Sequence, residues 1–558
     1  MPFLSIVGRS TRPPAGSGGG GGGGGGDWEA GTFDNGAALP QTKLTTTFNL
    51  AAQTGPVHTV STASALATAL TDSASQDHPR IVITANIDTS SGFTLPARTG
   101  AGWCYIISNK VHLGTFGKAP GKRVAATDAG DMFRLRSTSN NTPVISALTG
   151  ATHANKYRIV GLEFDTTATQ DGGLIELGSK VSNASHHPTE IVIDRCYVHG
   201  NPGVVDVRRG IALHAPSSAV IDSCITGITY SAFECQAVAC NYSAGPFKIV
   251  NNRLQAAGEN FMSGGDNCSF TPSDIEFRFN YCDVDPNWEG VYGGIKNNFE
   301  LKIVKRMLIE GNYFRYMWVA GQTGNGIVFK VTDQDGGNGS QYVTEDVVFR
   351  HNWIRDYVEP FRMIATQRGT ATSLQVMTRF TIRNNVWNTS RGDANKNYIL
   401  GSADGGPVDL KMMNNVIEGG GLYYHGACDE NTGPAGTGFV FRDNIVSTGT
   451  TPDWTGGPFG KSGGGGTSQA IANVFTGYTF NKNAVRGTWT SDTIADNTTS
   501  TATTFRNIFT NYNSNDFSVA GGNWAKGVGT GGADPGIDQT TWSSTLQYTE
   551  DGQRPSEI

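Results

Sequence analysis

The sequence predicts an all-β fold, a parallel β-helix solenoid with a short N-terminal capping helix, and three observations lead there. An extended apolar phrase ending on a fixed polar residue recurs ten times between Arg195 and Val485. It reads Ile193-Asp194-Arg195-Cys196, Ile221-Asp222-Ser223-Cys224 and Ile249-Val250-Asn251-Asn252, then continues through Asn280, Asn312, Asn352, Asn385, Asn415, Asn444 and Asn483 at intervals of 28 to 40 residues. Recurrence on this scale marks a solenoid. The units hold strand-like alternation and turn residues but no amphipathic helix, so each is one coil. An Asn fixed at a corner can bond the same Asn one coil above and below while satisfying backbone groups at the bend, which is a structural role.

Taken in order, residues 1–57 read as a separate tether, with a tract of nine glycines from Gly18 to Gly26 after Arg12-Pro13-Pro14. This segment is expected to be dispensable for folding and to attach the chain to a larger assembly. The run Val60 to Leu70 has the Ala and Leu spacing of a short helix, placed to cover the open first coil, whose bare strand edges would otherwise pair with other chains. Cap and irregular coils fill 58–190, regular coils 191–490, and a Thr-, Asn- and Gly-rich closing segment 491–558. Glycine-rich excursions interrupt the ladder at 335–339 and 463–466.

Composition agrees with this layout. Seventy-four Gly, 22 Pro and 16% charged residues favour turns over helices. A formal net charge of −6 argues against a nucleic-acid partner, which calls for a basic face. No stretch approaches 18 consecutive apolar residues, so no membrane insertion is expected. The start, Met1 to Arg9, lacks the basic and apolar pattern of a signal peptide. The eight Cys show no disulfide framework and no zinc-like spacing, so neither a metal nor another cofactor is expected. Cys196 and Cys224, read as anchors of successive coils, are expected to be buried free thiols.

With the ladder in view, the chain resembles the right-handed parallel β-helix, or pectate-lyase-like, superfamily, closest to uncharacterised bacterial members. The resemblance rests on Tyr157 to Phe164, Arg209 to Leu213, Gly245 to Asn252, Gly258-Glu259-Asn260 with Gly264-Gly265, Lys296 to Lys302, and the closing Ala533 to Asp538. It covers roughly 58–540 and implies a right-handed solenoid. That fold hosts lyases, hydrolases, epimerases and pure binders, so it does not by itself imply one activity. The arginine-proline signature of pectate lyases has no match, and Asp194 alone echoes their acidic strand, so calcium-dependent pectate cleavage is not carried over. The leaderless, glycine-tethered start looks more like a phage tail appendage.

Candidate chemistry follows from strand alternation. Ile175, Ile211, Phe233, Phe261, Phe299, Ile327 and Phe361 align as inward residues, which places Glu176, Ala212, Glu234, Met262, Glu300, Val328 and Arg362 outward. Glu234 and Glu300 would then lie roughly 9–10 Å apart at about 4.8 Å per coil, near the separation of an inverting glycosidase pair, with Glu259 between them. The same glutamates would also serve as ordinary polar residues of a solvated face. Arg209 and Lys296, at strand entrances, suit uronate carboxylates or lyase-type proton abstraction. Trp288 and Trp318, with Tyr292, Tyr313, Trp353 and Trp387, could stack on sugar rings or pack. His199 and His214 have no metal-ligand spacing.

The function expected is a virion appendage, fibre- or spike-like, whose β-helix binds a host surface polysaccharide, with its cleavage admitted as a further activity. Its partners would be that polysaccharide and, through 1–57, a virion or other large assembly, with a homotrimer admitted as its oligomeric form. It would sit on the virion surface, or alternatively be extracellular. A bacterial polysaccharide lyase or glycoside hydrolase, and a non-catalytic structural or adhesive β-helix, are the alternatives.

Overall fold

The structure is a computed structural model. It describes residues 32–33 and 36–555 apart from 233, 266, 293, 319, 321–324, 333–339, 368–375, 389–396, 401–405, 419–421, 425–435, 449–456, 462–465 and 490–491. The poly-glycine tract, Phe233, the 335–339 excursion and most of 463–466 lie outside the described residues.

The chain is a right-handed parallel β-helix. Three sheets run its length. The first has 14 strands, from Val57–Val60 to Tyr478–Asn481, and the second 14, from Ile87–Thr89 to Thr498–Ser500. The third has nine, from Phe93–Leu95 to Glu359–Gln367, followed by a three-stranded sheet from Asn397–Leu400 to Phe459–Lys461. Successive coils pair in parallel and in register, so like side chains stack. One inward row of the first sheet runs Ile159, Ile193, Val220, Ile249, Phe277, Ile309, Phe349, Ile382, Met412, Phe441 and Phe480. The row is fully or almost fully buried, and stacked aromatics such as Phe277 and Phe314 extend it across the core.

The corner between the first and second sheets is the Asn ladder. Asn312 Nδ2 donates to Phe277 O at 2.9 Å and to Asn352 Oδ1 at 3.0 Å, while its own Oδ1 accepts from Asn280 N at 2.9 Å. The same pattern runs from Asn252 to Asn483 and one coil further, to Asn497. The residue before each Asn turns the chain through the left-handed region, as at Asn251, His351 and Asn384. One anchor is corrected. Ser223, not Cys224, holds the ladder position: Cys196 N donates to Ser223 Oγ at 3.0 Å, and Ser223 N donates to Asn252 Oδ1 at 3.0 Å. Cys224 lies one residue on, in register with Tyr197 and Arg253, so Cys196 and Cys224 are not stacked. Every described cysteine is buried and outside any disulfide.

The capping helix is Ala63–Ser73, with Thr62 as its N-cap and Leu66, Ala69 and Leu70 turned into the core. Two further segments, which the repeat pattern gave no means to place, strap the outside. Residues 37–48 do not stand off as a tether; they run along the first sheet. Ala38 N donates to Asp346 Oδ1 at 3.0 Å, Gln41 N to Asp274 Oδ1 at 2.7 Å, and Lys248 Nζ and Arg158 donate to the carbonyls of Leu44 and Thr46. Leu39 covers Leu308 and Val348, and Phe48 lies against the guanidinium groups of Arg158 and Arg195. Asp194, between those arginines at 2.7 and 2.8 Å, is buried structure. The closing segment contains a 13-residue helix, Gln539–Asp551, and descends the Asn corner coil by coil. Gly536 N donates to Asp443 O, Trp542 Nε1 to Asn352 O, Thr549 Oγ1 to Gly311 O and Arg554 Nε to Asp222. No described helix is long and apolar enough to cross a membrane.

Asn352→Leu leaves the Ile309 carbonyl and the Asn312 N–H of the coil below without their side-chain partner and is expected to cost at least about 1–3 kcal/mol, read as a lower midpoint in urea unfolding. A chain beginning at residue 36 should unfold like the parent, whereas one beginning at 51 should unfold at lower urea, because Arg158 and Lys248 lose their carbonyl partners and Leu308 and Val348 lose their cover.

Candidate functional site

The candidate site is on the outer face of the third sheet, and it is built differently from the expected row of surface glutamates. Ile211, Val238, Phe261, Phe299, Ile327 and Phe361 share one inward register, so Val238 takes the seat assigned to Phe233. Ala239, not Glu234, is therefore the outward neighbour of Ala212 and Met262. Glu234 lies in the turn before strand Gln236–Cys240, and Lys296 in the turn before Phe299–Leu301. Glu259 opens strand Glu259–Ser263. Asn260 Nδ2 donates to Asn298 Oδ1 at 2.7 Å, a second short ladder that fixes the turns carrying Glu259 and Lys296 side by side.

By this route all three glutamates still converge. Lys296 Nζ is 2.5 Å from Glu234 Oε2, 2.9 Å from Glu259 Oε1 and 3.1 Å from Glu300 Oε2. One ammonium bridges Glu234 and Glu300, which are thus far closer than the expected 9–10 Å. Two lysines missed in the sequence complete the group. Lys330 Nζ lies 2.6 Å from Glu300 Oε1, and Lys302 Nζ lies 3.7 Å from Glu234. Both sit two residues beyond the outward column, one step further along the alternation that located Glu300. Gln236 Nε2 donates to Glu259 Oε2 at 2.8 Å.

The cluster is roofed. The side chains of Glu259, Glu300 and Lys302 are at most 1% exposed, whereas Glu234 is 30% and Lys330 14% exposed. Burial pushes the Glu259 carboxyl up to about 7, against the pull of Lys296 and with Glu234 and Glu300 adding to the rise. Burial would do the same to Glu300, but Lys330, Lys302 and Lys296 hold it well below the usual carboxylate range. Burial opposes the charge on Lys296, yet Glu259, Glu300 and Glu234 raise it above an ordinary lysine. Lys330 is lowered by burial, and Lys302 and Lys296 add to that. The group therefore holds one firmly charged ammonium, one lysine closer to its neutral form and one carboxyl poised near neutrality.

Other expected residues fall elsewhere. Arg209 is in register with Gln236, and Gln236 with Glu259, so Arg209 lies two coils below Glu259, and its charge acts on Glu176 and His214. Trp288 and Trp318 are buried in the core, as is Trp387, so none is a sugar platform. Tyr313 and Trp353 are covered by the closing segment, Trp353 meeting Trp542 at 5.7 Å between ring centres. Tyr292 packs edge-on against Trp288. His214 is buried, and its Nδ1 accepts from Asn241 N.

The fold and site thus define a right-handed parallel β-helix with a roofed ion cluster on one sheet. No known family model and no curated protein matches the chain. Among solved structures it is similar to the PL6 family alginate lyase AlyGC, with a TM-score of 0.53 and 11% identity over 90% of this chain. The match spans 59% of that lyase. It is also similar to the Dettilon tailspike protein gp208, with a TM-score of 0.34 and 10% identity over 72% of this chain and 64% of that one. A family 28 exopolygalacturonase of Yersinia enterocolitica matches with a TM-score of 0.26 and 10% identity over 73% of this chain and 77% of the enzyme. At 11% identity the likeness to the alginate lyase is one of fold alone.

Glu259 gives a pH test. Its folded value lies above the unfolded one, so its contribution to stability is complete below about pH 4.5 and is lost as pH rises through about 7. The loss is on the order of 3 kcal/mol. Glu259→Gln removes this component, so the stability difference between parent and variant should change across that window and be flat above it, measured by urea unfolding at each pH.

Proposed function

We propose that the protein binds an acidic polysaccharide across the third sheet and cleaves it by β-elimination. The observation that carries this is the set of three lysines gathered around three carboxylates, with Glu234 as the partly exposed carboxylate of the set. Burying so many charges is costly for stability alone, and such clusters concentrate at functional sites. Hydrolysis by a carboxylate pair fits less well, because Glu234 and Glu300 share one ammonium where a glycosidase pair needs an open gap of roughly 5–9.5 Å.

In this reading Glu234 marks the position of a substrate carboxylate. An incoming uronate displaces it and takes the charge of Lys296, which makes the proton on the adjacent ring carbon more acidic. Lys330, closer to its neutral form, removes that proton; the electron pair forms the carbon–carbon double bond as the glycosidic C–O bond breaks. The ammonium so formed hands its proton to the departing oxygen. Glu300 and Glu259 hold the lysines in place, and protonated Glu259 leaves the cluster without an excess of negative charge to repel an acidic sugar. The fold shared with an alginate lyase supports a polysaccharide as the ligand class.

The setting we propose is a virion appendage, with extracellular secretion as the alternative. Gly36 lies against Arg379 and Ala38 N donates to Asp346 Oδ1, so an attachment segment preceding them would join the solenoid at these coils. Loss of 1–35 should abolish incorporation into particles without unfolding the solenoid, and a trimer would appear in light scattering.

The test is incubation with alginate and polygalacturonate, following ultraviolet absorbance of the unsaturated product. Lys330→Ala and Glu300→Gln should lower turnover by about 100-fold or more, and Lys296→Ala should weaken binding. Glu234→Gln should retain cleavage. Binding without any unsaturated product would leave an adhesive β-helix.

A further inference from the structure

Away from the lysine cluster, the second sheet carries a different set of polar groups. Glu163 and Asp165 are two apart on strand Leu162–Thr166 and so share its outer face, with Phe164 between them in the core. On the next coil Tyr197 pairs with Glu163 and Val198 with Phe164, which brings His199 alongside Asp165. One ligand atom from each of Glu163, Asp165 and His199 lies within 4.8 Å of the other two. The sequence spacing of His199 gave no hint of this, because its partners belong to the coil below. Asp165 and His199 line a cavity of about 380 Å³, together with Arg136, Thr167, Asn201 and the exposed Val204.

The bonding of His199 is what asks for a ligand. Its Nδ1 is 3.0 Å from the Gly200 carbonyl oxygen, which can only accept, so the hydrogen is on Nδ1. Its Nε2 is 2.9 Å from Glu163 Oε1, a second acceptor. Two lone pairs do not rest at that distance unless a positive centre, a second proton or a metal ion, lies with them. An N–H to carbonyl bond on the far side of the ring is also what orients a metal-bound histidine. Arg136 holds both oxygens of Asp165, Nε donating to Oδ1 at 2.8 Å and Nη2 to Oδ2, and Arg134 stands 3.7 Å from the same carboxylate, shared with Asp88. Both arginines belong to the coil below Asp165, whereas His199 belongs to the coil above. Tyr197 stacks on the imidazole at 4.3 Å and fixes its plane.

We propose that Glu163, Asp165 and His199 bind a first-row divalent cation, with water from the cavity completing its shell. One imidazole nitrogen with carboxylate oxygens suits Zn²⁺ or Mn²⁺. Ca²⁺ takes six to eight oxygen ligands and does not match this set. The ion would tie two successive coils together and keep one side open to the cavity.

Titration calorimetry of the full chain with ZnCl₂, MnCl₂ or CaCl₂, each alone, tests this. One Zn²⁺ or Mn²⁺ per chain is expected, weakened more than about tenfold in His199→Ala and in Glu163→Gln and unchanged in His186→Ala. The ion should raise the unfolding temperature of the parent and of His186→Ala only. Glu163→Gln keeps the side-chain shape, so the comparison holds even where His199→Ala folds poorly. No binding by the parent would mean that a proton alone fills the gap, and would overturn the proposal. Binding of Ca²⁺ alone, undiminished binding by both site variants, or loss in His186→Ala instead would overturn it equally.

Discussion

The rest of the structure depends on one hydrogen-bonded column, the asparagines stacked at the corner between the first and second sheets. Each coil must turn there through a left-handed residue, usually one with a side chain, which is costly in strain. The Asn that follows offsets this by donating to a carbonyl of the coil below and to the Asn of the coil above. Since each side chain fixes the next, the coils can differ by ten residues or more in length without losing register. Loops are therefore free to vary, and some of the functional groups, Glu234 and Lys296 among them, come from the turns between strands.

The ion cluster illustrates that freedom. Lys296 and Glu234 come from turns, whereas Glu259, Glu300 and Lys330 are on strands. A rigid stack positions the strand residues, and the Asn260–Asn298 pair extends the same device to the turns. Buried charges in this number are tolerable because nearly every one has an opposite charge within hydrogen-bonding reach.

The fold was legible because the corner tolerates few residue types and recurs at every coil. Its misreading at Cys224 has a simple cause: equal spacing favoured Cys224, but the ladder needs an oxygen that accepts from a backbone N–H, and Ser223 supplies one. The site was partly legible. Alternation placed Glu300 outward, whereas Glu234 reached the cluster through a turn whose length alternation does not constrain. The tryptophans misled because turn residues can fold inward over the core as Trp288 and Trp318 do. Neither strap was legible, since 37–48 is held by main-chain groups that carry no side-chain pattern, and the Ser- and Thr-rich run before Asp551 hides the one buried stripe of Trp542 and Leu546.

The closing segment makes the order of synthesis matter. Arg554 reaches back 332 residues to Asp222, and Arg123 donates to a carbonyl 426 residues later. While the chain is being made, coils can stack one on another as they emerge, but their Asn corner stays uncovered. Only when the last helix is released can it run down that corner and seal coils assembled long before. Growth of the stack is thus local and sequential, and its completion is a single long-range event that leaves a nascent or truncated chain with an open seam.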